Sequence, residues 1–142
     1  MLDKLVGFTI LGLIGFLVHG IATGPISVAS MPNEFSPKTT LIYFGTDDCG
    51  SCMMFKRSGL KQVRASARRD GFKFVRRHIS TVRKLGHDDA FGSYDPLYQA
   101  VAQKAGQHAV PMFGVVEDGK VIAAAIGNWP SMVRLAAKKV AN

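Results

Sequence analysis

Apolar positions recur along this chain in different rhythms, and each change of rhythm marks a change of element. From Leu5 to Val18 the run is continuous and carries no charge. From Thr39 to Gly45 it is short, β-rich and bounded by a polar turn, which predicts a buried strand. From Cys49 to about Arg69 it becomes helical: Met53, Leu60, Val63 and Ala67 stand 7, 3 and 4 residues apart and share one face, which assigns Met53 to the core. Arg57, Lys61, Arg64 and Arg68, spaced 4, 3 and 4, form a basic stripe beside that face, read as a solvated surface. Ser58-Gly59 predicts a kink in mid-helix, and Asp70-Gly71 ends the element.

The second half is read in the same way. Phe72 to Ile79 alternates in part and predicts a second strand, and Thr81 to Tyr94 has no clear period and reads as a loop. Asp95-Pro96 opens a helix, with Asp95 as cap and Pro96 in the first turn. Leu97, Ala100, Val101 and Lys104 carry that helix to a stop at Gly106. Between Val110 and Ile126 two apolar runs flank Asp118-Gly119, a hairpin signal. Gly127 to Pro130 turns the chain, and Ser131 is expected to cap a last helix to about Val140, with Met132, Leu135, Ala136 and Val140 inward. The order is strand, helix, strand, loop, helix, strand, strand, helix. The chain of 142 residues has room for one domain with its own core, expected over residues 39–142.

The first apolar run changes the picture of where that domain works. Fourteen helical residues rise about 21 Å, short of a hydrocarbon core of about 30 Å. Ser27-Val28-Ala29-Ser30 supplies small residues after it, with Ala29/Ser30 as the best cleavage point. Residues 1–29 therefore read as a signal peptide or as an N-terminal anchor associated with a membrane through residues 5–23, and 30–38 as a linker. Both readings export the domain to the bacterial periplasm, soluble after cleavage or tethered to the inner membrane. The net charge of +8 favours acidic partners or an anionic membrane surface. With no basic arm, zinc-finger spacing or RNP-like motif, nucleic acid is not an expected partner.

The candidate chemistry lies in Cys49-Gly50-Ser51-Cys52, which holds both cysteines of the chain. Two thiols two residues apart can close and reopen a small disulfide ring, or hold half of a zinc site. Structural zinc needs four ligands, and the remaining candidates beyond the first apolar segment, His78, His87 and His108, form no ligand pair, so no metal and no other cofactor is expected. A static staple is the third reading, with little entropic benefit from so small a loop. If Cys49 starts the helix, unpaired N–H groups of Ser51 and Cys52 favour its thiolate and leave Cys52 the buried partner. Asp47 and Asp48 oppose that effect, and Lys56, one turn beyond Cys52, offsets them.

Strand, CxxC opening a helix, then Val110-Pro111 before a DG hairpin and a terminal helix: this conjunction resembles the thioredoxin superfamily over Thr39 to Val140, and its exported members in particular. The resemblance implies an α/β fold with a central mixed sheet of about four strands flanked by helices. It implies thiol–disulfide exchange on envelope or secreted clients, with Cys49 as nucleophile, Cys52 as resolving thiol, Gly50 and Ser51 at the helix start, and a cis Pro111 beside the pair. It also implies that Val110 offers backbone groups to an extended substrate, and that the partners are a disulfide- or thiol-containing client and a redox protein. An adaptor, or a dedicated metal- or haem-maturation factor, is the alternative within the same fold. The chain departs from thioredoxin itself in having Tyr43 where a buried acid stands, Asp48 in place of an aromatic residue, and Gly-Ser between the cysteines. His108 is expected near the proline loop, and Trp129 is expected to pack at the final turn.

Overall fold

A computed structural model describes residues 38–87 and 89–142. The expectations for the leader or anchor (1–29) and for most of the linker (30–38) lie outside the described residues. Strand β1 (Thr39–Thr46) is followed by α1 (Gly50–Met54), a turn of π-helix (Phe55–Gly59), α2 (Leu60–Asp70) and β2 (Lys73–Ile79). Then come α3 (Asp95–Ala105), β3 (Met112–Glu117), β4 (Lys120–Ile126) and α4 (Trp129–Val140). The four strands form one sheet in the order β2-β1-β3-β4. β1 and β2 are parallel, while β3 runs antiparallel to both β1 and β4.

β1 is central and wholly buried, which is why its middle, Leu41–Phe44, reads as a continuous apolar run rather than an alternation. Its alternate side chains feed two cores. Leu41 and Tyr43 pack with Phe55, Val63, Phe113 and Ala136 under the helices of one face. Ile42 and Phe44 pack with Leu97, Tyr98 and Val101 under α3 on the other. The hairpin forms at Asp118-Gly119, where both residues take positive φ, 48° and 74°, as the favoured two-residue turn requires. This topology is the thioredoxin-like fold.

Several local expectations are corrected. Met53 does not enter the core; it is 38% exposed, and Cys52, Phe55 and Val63 take the inward positions. The π turn holds an extra residue and rotates the helix before it by about a quarter turn relative to the helix after it. It falls at the expected kink, and the Ser58 hydroxyl donates to the Met54 carbonyl inside it (2.9 Å). Asp95 is not a cap, because a 3₁₀ turn over Gly92–Tyr94 runs straight into α3 and leaves Asp95 already helical. Asn128, not Ser131, caps α4: its side-chain oxygen accepts from the Ser131 N–H (3.4 Å). Val140 is exposed, and Val133 is buried in its stead. The loop after β2 also contains a 3₁₀ turn, Val82–Lys84.

Candidate active site

The site is assembled at the end of β1 where the chain enters α1. Cys49 has an extended backbone and is the N-cap of α1, so its side chain lies over the first free N–H groups of the helix. The Cys52 N–H donates to the Cys49 Sγ at 3.2 Å. Both cysteines are free thiols; Cys49 is half-buried and Cys52 fully buried. From 61 residues further along, the Val110 carbonyl accepts the Cys49 thiol at 3.6 Å. The Val110–Pro111 peptide bond is cis, and the Pro111 carbonyl accepts from the N–H of Gly127, the residue after β4 (2.8 Å). Thus Cys49, Cys52, Gly50, Ser51, Val110 and Pro111 meet at one end of the sheet.

Burial makes the two thiols unequal. Loss of solvent, aided by the neighbouring Cys49, pushes the Cys52 thiol up to about 11. Tyr43, completely buried, lies against it from β1. Burial pushes the Tyr43 phenol well above its ordinary range, and the Cys52 charge adds to the rise. The Tyr43 hydroxyl is close enough for these two groups to perturb each other, yet it makes no well-aligned hydrogen bond in the reduced protein. Gly45 leaves room for it; a Cβ there would fall on the Tyr43 hydroxyl and ring.

The two acids before the motif are both engaged. Asp47 pairs with Lys56 at 2.7 Å, and that hydrogen bond holds its carboxyl below the ordinary range. His78 stands 3.6 Å from the same Asp47 oxygen. Asp48 is held low chiefly by Thr81 and also accepts from the Val82 N–H at 2.8 Å. Lys56 therefore balances the Asp47 charge that would oppose a Cys49 thiolate, while the loop donors keep Asp48 ionised.

A cavity of about 270 Å³ opens beside the motif, lined by Ser51, Met54, Phe55, Ser58, Pro111 and Trp129. Trp129 both packs on Phe55, with ring centroids 6.0 Å apart, and lines this cavity. Gly59 permits that packing, since a Cβ there would meet Phe55 at 2.5 Å and Trp129 at 2.9 Å. Met54 beside it is 70% exposed. Sequence reasoning placed Trp129 in packing alone; the signal for the cavity was a bulky Trp-Pro pair directly after the turn that meets Pro111. His108 is exposed and stacks on Tyr98 (5.6 Å) rather than on the thiols. Among the described residues no group of three or more His, Cys, Asp and Glu side chains is placed to hold a metal ion.

No family model and no curated protein matches the chain. Among solved structures it is similar to mitochondrial thioredoxin 3 of Saccharomyces cerevisiae, at 20% identity over 74% of this chain and 82% of that one, with a TM-score of 0.47. It is also similar to the oxidised thioredoxin of Plasmodium falciparum, at 14% identity over 77% and 86% with a TM-score of 0.46. Thioredoxin f2 of Chlamydomonas reinhardtii matches at 14% over 72% and 79%, with a TM-score of 0.45. The fold assignment itself stands on strand order, strand direction and the placing of the helices.

Proposed function

We propose that this protein exchanges thiols and disulfides with protein clients through Cys49 and Cys52. The observation that carries the reading is the asymmetry of the pair. One thiol caps a helix at the surface and reaches the Val110 carbonyl, and the other is sealed beneath it. In the reducing direction the Cys49 thiolate attacks one sulfur of a client disulfide. A new S–S bond joins client and enzyme, and the other client sulfur leaves as a thiolate. The Cys52 thiolate then attacks the Cys49 sulfur, closing the intramolecular disulfide and expelling the second client thiolate. Two electrons pass to the client, and its two thiolates take up the two protons given up by Cys49 and Cys52. The reverse sequence oxidises a dithiol client.

Asp47 is neutralised by Lys56 while Asp48 stays ionised beside the motif, and this balance favours a reductase or isomerase rather than a strong oxidant. An extended client segment would lie along Val110 with a side chain in the cavity between Met54 and Trp129. The clients we propose are envelope or secreted proteins, reached through export of the domain. The test is insulin reduction with three proteins. Cys52→Ser is expected to accumulate mixed disulfides, and Cys49→Ser to abolish both turnover and trapping. Turnover that survives Cys49→Ser would overturn the enzyme reading and favour an adaptor.

A further inference from the structure

The positive charge of this protein is not spread over its surface. Residues 56–84 hold eleven of the chain's 18 lysines and arginines and, in Asp70, one of its 10 acids. The remainder of the chain, with seven bases against nine acids, is slightly negative. The whole surplus therefore lies on the π turn, α2, β2 and the turn that follows. Part of it is engaged: Lys56 with Asp47, Arg69 with Asp70, and Arg77 over the Tyr94 ring at 3.4 Å. Arg64, Arg68 and Arg76 make no ion pair among the described residues. These three surround a cleft of about 480 Å³ between α2 and β2, whose apolar wall is Ala67, Phe72 and Phe74.

The cleft has a second property. β2 pairs with β1 alone and forms an edge of the sheet, so its outer row of backbone groups has no strand beside it among the described residues. Phe74 and Arg76, two residues apart, point to the face that carries α2. A segment added along this edge would place every second side chain over the cleft. Guanidinium groups bind carboxylates with paired, charge-assisted hydrogen bonds, and the phenylalanine wall packs against the methylene stems of the same acidic side chains. A bilayer fits this surface poorly, because the large exposed apolar side chains, Met53, Met54, Val82 and Val140, do not line the cleft.

We infer that the α2–β2 cleft is a docking site for an extended acidic segment of a partner protein, which adds along β2 and seats the acidic side chains of one strand face, every second residue, against Arg64, Arg68 and Arg76. The site is separate from the thiols and would hold a client or redox partner independently of the exchange step.

The experiment uses full-length protein and a fluorescein-labelled twelve-residue peptide of alternating Glu and Val, read by anisotropy. Binding should weaken as salt is raised. The variant R64A/R68A/R76A should lose affinity by at least about tenfold. A peptide of the same composition with its Glu and Val residues in two separate blocks should bind several-fold more weakly than the alternating one, since it cannot present one side to the cleft as a strand. Equal affinity of the wild type and the triple variant for the alternating peptide would overturn the proposal. So would displacement of the peptide by an oligothymidylate of equal charge at the same concentration, which would make the cleft a general polyanion site. Insulin reduction by the triple variant should match the wild type. A wild type inactive on insulin would sink the exchange reading and leave the docking result standing on its own.

Discussion

The buried Cys52 thiol makes the stability of the reduced protein depend on pH in a calculable way. Its ordinary value is 9.0, and burial raises it to about 11 in the folded chain. Between those values the unfolded chain releases the proton and the folded chain keeps it. The unfolded state then binds fewer protons, so stability falls as pH rises. Below about pH 8 the thiol is protonated in both states and the effect vanishes. At ~1.4 kcal/mol per tenfold change, the loss reaches about 1.4 kcal/mol near pH 10 and approaches about 3 kcal/mol above pH 11. Other groups titrate in this range, so the measurement is a difference. Urea unfolding of the reduced wild type and of reduced Cys52→Ala is followed from about pH 7.5 to about pH 10.5. The variant carries a constant offset from its smaller side chain, while the gap between the two should close by about 2 kcal/mol across the range. Parallel curves would refute the claim that Cys52 is desolvated. The same burial keeps Cys52 largely protonated at neutral pH, so resolution of a mixed disulfide should quicken as pH rises.

Gly45→Ala should destabilise the domain by several kcal/mol, because the new Cβ collides with a Tyr43 ring already held by Phe55 and Phe113; thermal unfolding within a degree of wild type would contradict that packing. Lys56→Met should raise the Asp47 carboxyl towards its ordinary range in an NMR titration, and an unchanged Asp47 would mean that the pair contributes nothing in solution. Asn128→Ala should cost about 1 kcal/mol, with Ser131→Ala closer to neutral, since Asn128 supplies the capping oxygen; the opposite order in denaturant midpoints would restore Ser131 as the cap.

Much of the fold was legible because its signals are local. Gly71 and Gly106 close their helices at φ of 81° and 80°, Asp118-Gly119 makes its hairpin, and β1, with its apolar centre Leu41–Phe44, sits in the middle of the sheet. The misreadings share a cause. Helical spacing assumed 3.6 residues per turn, and the π turn at Phe55–Gly59 broke that phase, which carried Met53 outwards. At Asp95 and Ser131 the residue types were good caps, but the preceding chain had already begun the helix at Asp95 and placed Asn128 ahead of Ser131.

The sequence by itself determined the elements, their order and the location of the thiol pair, because turn chemistry, periodicity and a CxxC at a helix start act over a few residues. The contact of Cys49 with Val110, the shelter of Cys52 beside Tyr43, the Trp129 cavity and the arginine cleft on the edge strand join residues from different elements. Sheet register, helix phase and the close approach allowed at Gly45 and Gly59 bring these groups together, and only the packed chain has those.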